Sequence, residues 1–229
     1  MKRLLLLGAA ALILSACAKP ATETATTSAS TSVSAAAPSV ANIPAGDYKT
    51  DPAHTSLTFE VSHMGYSHYT ARFADVEAAL KLDPAHPDQA SVTATIDPQS
   101  LALNTPPKGF HDEMMGDSFF KAKDYPKITF TSTKVEMTGA NTARVIGDLT
   151  LHGVTKPVTL DATFNGGYPG MDMDPQARVG FSLKGQLKRS DFGMGFGIPA
   201  PGSNMGVGDA VDFQIETEMT GPKLIKKAS

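Results

Sequence analysis

Cysteine and tryptophan are nearly missing from this sequence: its 229 residues include one cysteine, Cys17, and no tryptophan. A chain with one cysteine can form neither an internal disulfide nor a metal site built from several thiolates. Since Cys17 stands near the start, the rest of the chain carries no thiol, which suits an oxidising compartment. Disulfide scaffolds and thiolate metal centres are therefore excluded.

A hydrophobic run long enough to span a bilayer is also lacking, because a transmembrane helix needs about 20 apolar residues. The run from Leu4 to Ile13 is shorter; it follows Lys2 and Arg3 and ends in small residues. This arrangement is typical of a secretory signal peptide. The last four residues, Leu14-Ser15-Ala16-Cys17, resemble the bacterial lipobox, in which the cysteine is acylated and becomes the mature N-terminus.

We therefore predict a signal peptide over residues 1–16 and lipidation of Cys17. Residues 17–45 are mostly Ala, Ser, Thr and Pro, which predicts a disordered tether. A folded domain is expected over 46–222, followed by a basic tail over 223–229. Two or three acyl chains give stable anchoring, and Ala18 and Lys19 differ from the aspartate of inner-membrane retention signals. The expected location is the periplasm, with the anchor in the outer membrane.

Charge is sparse and nearly balanced, with 20 Lys+Arg against 23 Asp+Glu. The predicted domain has no basic cluster, which argues against nucleic acid as a partner. The membrane, reached through the acyl anchor, is the expected partner surface. A homodimer is left open.

Most of the predicted domain alternates apolar and polar residues with a period of two, as in "LTFEVSH", "KPVTLDATF" and "AVDFQIETEM". This pattern indicates strands with one apolar and one wetted face. Short connections such as "HGVTKP" and "TGANTA" predict antiparallel hairpins. One stretch, "PKGFHDEMMGDSFFKAKDYP", is predicted as helical. The fold class is thus all-β, either a sandwich or a closed barrel.

Catalytic and metal motifs are not found in the sequence. There is no G-x-S-x-G elbow, no HExxH and no G-x-G-x-x-G. The six histidines match no metal-ligand spacing, so no metal and no catalytic residue is predicted. Two alternatives remain open: an envelope enzyme using His63, His68 or His111, and a structural surface lipoprotein.

The segment "RSDFGMGFGIPAPGSNMGVGDAVDF" combines many glycines with Phe and Met. Its glycine spacing does not fit a phosphate-binding loop, and a strand rather than a helix follows it. We interpret it as an adaptable apolar lid. Within it, Arg189 either contacts an anionic ligand headgroup or has a structural role at the strand end, where it and Asp191 could pair or cap neighbouring backbone.

Four segments resemble the YceI-like family of lipocalin-like, polyisoprenoid-binding proteins: "DPAHTSLTFEVSHMGYSHYTARF", "FHDEMMGDSFFKAKDYPKITFTST", "GDLTLHGVTKPVTL" and "LKRSDFGMGF". The closing strand "VDFQIETEM" is similar too. The resemblance implies an elongated antiparallel barrel of about 8–10 strands around a long apolar pore, with one short helical segment. It also implies a non-catalytic protein with no cofactor beyond a bound polyisoprenoid or similar lipid. Lys108 and His111 stand where relatives have an arginine-rich helix start.

Alternation alone more often accompanies a solid core, so the prediction of a pore rests on the resemblance. The predicted pore wall consists of Phe59, Val61, Phe73, Phe130, Leu149, Leu160, Phe181 and Phe213. The predicted mouth or lid consists of His63, Met114, Phe119, Phe120, Arg189, Phe192, Met194 and Phe196.

Overall fold

A computed structural model describes residues 42–224. The predicted signal peptide, Cys17, most of the tether and most of the basic tail lie outside these residues. No helix within 42–224 is long and apolar enough to cross a membrane.

The described part of the chain forms ten strands and one α-helix. The strands are β1 (Gly46–His63), β2 (Ser67–Phe73), β3 (Val76–Leu82), β4 (Ser91–Ile96), β5 (Leu101–Ala102), β6 (Ile128–Met137), β7 (Thr142–Leu151), β8 (Val154–Tyr168), β9 (Gln176–Lys188) and β10 (Val207–Lys223). The helix is α1 (Phe110–Met115), and short 3₁₀ turns cover Pro87–Gln89, Pro98–Ser100 and Arg189–Phe192.

The strands close into an antiparallel barrel, which confirms the predicted fold class. Eight strands form the ring, in the order β1, β3, β4, β6, β7, β8, β9 and β10, and β10 pairs with β1 to complete it. The first part of β1 pairs with β3, and its last part pairs with β2, which carries β5 on its outer edge. Closure leaves the ring without a free edge.

Bulges explain where the alternation changes phase. In β6 the inward residues are Ile128 and Phe130 and then Val135 and Met137, a switch from even to odd positions. The register of β6 on β7 shifts between Ser132 and Lys134. An extra residue on one strand turns the next side chains to the other face, so the sequence pattern records the bulge.

Hairpin turns follow the local sequence. His152 and Gly153 join β7 to β8 with φ of 52° and 76°, as a two-residue turn with both φ positive requires. A Cβ on Gly153 would lie 2.4 Å from Cε1 of Tyr125, so the glycine is needed for space as well. The "TGANTA" segment joins β6 to β7 as expected, with Thr138 N donating to Thr142 O.

The helical prediction was too long. Helix α1 spans six residues and ends at Gly116, whose backbone is extended. Glycine has little helix propensity, and the following chain folds back in turns that return Phe120 N to Met114 O and Ala122 N to Met115 O. The apolar residues of this segment therefore cover one end of the barrel.

Ordered packing begins at Ile43, inside the segment predicted as tether. Ile43 is 6% exposed and packs in a small cluster with Tyr48, Leu82, Phe164 and Met219. The hydroxyl of Tyr48 donates to Pro44 O at 2.6 Å. Burial raises the pKa of Tyr48 to about 12, so this hydroxyl remains a donor.

Candidate ligand-binding cavity

The barrel encloses a cavity of about 380 Å³, within the range of small-molecule sites. Its lining comes from the inward faces of all eight ring strands, together with Phe73 of β2, the α1 segment and the segment after β9. Seven lining residues are polar (Thr50, Thr55, Ser91, Asn141, Thr142, Arg189 and Thr217), and the others are apolar.

The structure places all eight predicted wall residues in this lining: Phe59, Val61, Phe73, Phe130, Leu149, Leu160, Phe181 and Phe213. Residues on the same strand faces also contribute, including Val92, Ala94 and Ile215. The period-two pattern therefore identifies the inward faces of the strands that carry these eight residues.

Two glycines of the barrel wall, Gly147 and Gly185, leave space for aromatic rings. Neither of them was identified from the sequence. A Cβ on Gly147 would lie 2.4 Å from Cζ of Phe130, and a Cβ on Gly185 would lie 2.4 Å from Cζ of Phe213. Each ring thus packs against a strand glycine, which no other residue could replace without moving the ring. In the sequence, each of these glycines interrupts the apolar alternation at an inward-facing position, and this interruption could have indicated a site where a ring packs closely.

The predicted mouth residues divide into two groups. Met114, Phe119, Phe120, Arg189 and Met194 line the cavity, whereas His63, Phe192 and Phe196 do not.

Local geometry explains why these three residues lie elsewhere. His63 is exposed at the end of β1, next to the turn that leads into β2. Phe192, the last residue of the 3₁₀ turn, is 1% exposed, and its side chain packs into the hydrophobic core. Phe196 is 56% exposed and packs edge-on against Phe119 with ring centroids 5.3 Å apart.

Arg189 caps backbone carbonyls, one of the structural roles predicted for it, and does not pair with Asp191. It is 7% exposed, and its guanidinium donates to four backbone carbonyls: Met194 O, Phe196 O, Val207 O and Gly208 O, at 2.7–2.8 Å. Burial lowers the pKa of Arg189 from its usual value. Asp191 is exposed and is not its partner, because residues 189–192 form a 3₁₀ turn rather than a strand. Arg189 therefore fastens the two ends of the glycine-rich loop, residues 193–206, to the barrel.

The histidines do not converge on the cavity. Nδ1 of His152 lies 3.0 Å from Phe192 O, and its ring packs edge-on against Tyr125. Nε2 of His111 lies 3.2 Å from Gln99 O, and His68 is exposed. Within residues 42–224, the one group close enough to hold a metal ion is Asp51, His54 and Glu218.

A guanidinium already offsets part of the negative charge of that group. Arg178 donates to Asp51 at 2.8 Å and to Asp174 at 2.7 Å, and it lies 3.6 Å from Glu218. The hydrogen bond from Arg178, followed by that from His54, lowers the pKa of Asp51 from 3.8 to about 2. The cluster is thus an ion-pair network that ties β1 to β9 and β10.

The network provides a test of acid stability. A carboxylate with a depressed folded pKa stabilises the fold above its unfolded pKa, and this stabilisation is lost as the pH falls through the folded value. Asp51→Asn should therefore lower the free energy of unfolding at neutral pH by about 1–2 kcal/mol, discounted for partial exposure. It should also flatten the decline in stability between about pH 4 and about pH 2, measured by urea unfolding at several pH values.

The same tetrapeptide, Asp-Pro-Ala-His, occurs again at residues 83–86 and supplies a matched control. His86 Nδ1 lies 2.9 Å from Asp83, as His54 does from Asp51 at 3.0 Å, but both Asp83 and His86 are exposed and no arginine joins them. Asp83→Asn should cost less stability than Asp51→Asn. Equal losses would show that Arg178 contributes nothing.

A closed antiparallel barrel around an apolar cavity defines a lipocalin-like fold. Comparison with known proteins agrees: the sequence model of the YceI-like domain matches residues 48–219. A UPF0312 protein of Pseudomonas putida is 37% identical over 176 residues, covering 76% of this chain and 86% of the relative. The chain belongs to the YceI-like family.

Solved structures share the fold. BcnA of Burkholderia cenocepacia superposes with a TM-score of 0.61 at 27% identity, covering 74% of this chain and 98% of BcnA. A domain from Saccharophagus degradans, described as polyisoprenoid binding, superposes with a TM-score of 0.53, covering 78% of this chain and all of that domain. At 16% identity, this second likeness shows the fold alone.

Proposed function

We propose that this protein binds the apolar chain of a polyisoprenoid, such as a quinone or a prenyl-chain carrier lipid, or of a similar long-chain amphiphile. It would sequester or carry this lipid without chemical change. The observation that carries the proposal is the cavity, to which every strand of the ring contributes apolar side chains. A domain that shares this fold at 16% identity is described as polyisoprenoid binding, so a barrel of this kind can hold such a ligand.

The energetics favour a chain-like ligand. Each methylene-sized group removed from water contributes about 0.8 kcal/mol, so a chain of several isoprene units gains enough to offset the cost of ordering it. Phenylalanine and methionine dominate the loop end of the lining, at Met114, Phe119, Phe120 and Met194. Methionine adapts to irregular shapes, which suits a branched chain.

The lining supports binding rather than catalysis. Its polar members are four threonines, one serine, one asparagine and Arg189. It therefore supplies no acid–base pair of the kind that general catalysis uses.

We propose the cell envelope as the site of action, with the protein anchored in the outer membrane through acylated Cys17. The support is the sequence around Cys17 and the absence of any other cysteine. Fractionation of the source cells tests this placement: the protein should sediment with outer membranes and require detergent for release. Recovery in the soluble periplasmic fraction would contradict the anchor.

Extraction of the purified full-length protein tests the ligand class. Organic solvent should release a long-chain isoprenoid or similar amphiphile, identified by mass spectrometry, in an amount comparable to the protein. A mock purification from cells lacking the protein controls for carried-over membrane lipid. Extracts that match the mock in every preparation would refute the proposal.

A further inference from the structure

The polar residues of the cavity are concentrated at one end. We call the end with the β6–β7 turn, residues 138–141, the hairpin end, and the end with the glycine-rich loop the loop end. Six of the seven polar lining residues lie in the hairpin half: Thr50, Thr55, Ser91, Asn141, Thr142 and Thr217. The seventh, Arg189, lies at the loop end, where its guanidinium is engaged by carbonyls.

Several of these polar groups fall on one row of the sheet. Asn141 Nδ2 donates to Phe164 O at 3.3 Å, and Phe164 N donates to Asn141 O. Phe164 pairs with Phe181, Phe181 with Thr217, and Thr217 with Thr55. The row thus has the Asn141 side-chain amide at one end and the hydroxyls of Thr55 and Thr217 at the other.

These groups retain hydrogen-bonding capacity. Thr55 Oγ1 and Thr217 Oγ1 lie 2.8 Å apart, and Thr217 Oγ1 also makes a long contact of 3.4 Å with Glu218 O. Thr50 Oγ1 accepts from Ala78 N at 3.1 Å, which leaves its own proton free to donate. Polar groups in an apolar cavity are costly unless they are paired, so this site favours a ligand that brings a polar atom.

The exposed residues of the cavity lining are concentrated at the hairpin end. Three lining residues are exposed, Ser91, Met137 and Ala140, and all three lie there. At the loop end, Phe120, Arg189 and Met194 are each less than 10% exposed. A ligand with one polar end and one apolar tail therefore fits in one direction only.

We propose that the ligand enters tail first through the hairpin end, and that Thr50, Thr55, Thr217 and Asn141 hold an uncharged, hydrogen-bonding head such as a hydroxyl or carbonyl. This inference rests on the proposed function and specifies the ligand's head and its direction. No charged side chain lines the hairpin half, and an unpaired charge brought into such a site would be strongly disfavoured.

Removing the paired hydroxyls tests the head site. The probes are a long-chain prenyl alcohol, its diphosphate with the same chain, and a hydrocarbon of matched length, each titrated into delipidated full-length protein. The wild type should bind the alcohol at least about tenfold more tightly than the diphosphate. Thr55→Val/Thr217→Val should weaken alcohol binding about tenfold, since about 1.4 kcal/mol of hydrogen bonding is lost, and should leave hydrocarbon binding unchanged.

The chain provides a matched control. Thr150 and Thr155 form the same cross-strand pair on the barrel exterior, with hydroxyl oxygens also 2.8 Å apart. Thr150→Val/Thr155→Val should change none of the three affinities. Equal weakening of alcohol and hydrocarbon by the interior variant, or tighter binding of the diphosphate, would overturn the head assignment alone. Failure of the wild type to bind any probe would overturn the proposed function as well.

The direction of the ligand has its own readout. A long-chain fatty alcohol with a nitroxide at the end of its tail should broaden the amide NMR signals of Met114 and Met194. It should leave that of Ala140 sharp. Broadening confined to Ala140 would show that the tail points to the hairpin end, contrary to the proposal.

Discussion

Replacing Arg189 by methionine is expected to lower the free energy of unfolding by about 3–5 kcal/mol, because four hydrogen bonds from a charged donor are lost at about 1 kcal/mol or more each. Its guanidinium is the shared donor for four backbone carbonyls of residues 194–208. Methionine fills similar space but donates no hydrogen bond, so four carbonyls lose their partner together. Urea unfolding followed by circular dichroism measures the loss.

Two further variants distinguish the loss of these four hydrogen bonds from the loss of a positive charge. Arg144→Met removes an arginine that is 56% exposed and 3.9 Å from Glu136, and should cost less than about 0.5 kcal/mol. Arg189→Lys keeps the charge but lacks the planar fork that reaches several acceptors, so it should remain substantially destabilised. If Arg189→Met were as mild as Arg144→Met, the loop would not depend on this residue, and its assignment as a headgroup contact would regain support.

Obstructing the cavity is expected to abolish lipid binding without unfolding the barrel. Ala78 and Ala94 are register partners on β3 and β4, and both line the cavity. Two phenylalanines there, in Ala78→Phe/Ala94→Phe, would occupy space that the chain needs. Exclusion of about four methylene-sized groups costs about 3 kcal/mol, which is more than a hundredfold in affinity. Titration of the prenyl alcohol measures the effect.

The adjacent residues on the same strands supply the control. Ala79 and Thr93 are also register partners, but both are exposed on the barrel exterior. Ala79→Phe/Thr93→Phe adds the same rings outside and should bind the alcohol as the wild type does. Unfolding temperatures show whether either variant is misfolded. Wild-type affinity in a folded Ala78→Phe/Ala94→Phe variant would mean that the lipid binds elsewhere.

Much of the barrel could be predicted because strand patterning is a local property. In β8, Val158, Leu160, Ala162 and Phe164 all line the cavity, as their spacing indicates. The change of phase in β6 was visible in the sequence and marks a real bulge. Alternation looks the same for a solid and a hollow interior, however, and the pore was predicted from family resemblance.

The parts that could not be predicted depend on contacts between distant segments. The role of Arg189 requires carbonyls from residues 194–208 to converge on one guanidinium. No residue spacing in the sequence indicates this convergence. His63 continues the apolar phase of β1 in sequence, but it is exposed at the end of that strand and does not line the cavity. Which loops cover each end of the cavity likewise depends on contacts between distant segments, which no local pattern records.

The central claim is that the barrel interior holds a lipid chain. Native mass spectrometry of the full-length protein, purified from its own envelope in a mild detergent, tests it most directly. We expect a discrete mass increment for one lipid per chain, lost after solvent extraction and missing from the Ala78→Phe/Ala94→Phe variant. A wild-type protein that repeatedly shows only its own mass, or an increment that the variant retains, would contradict the account.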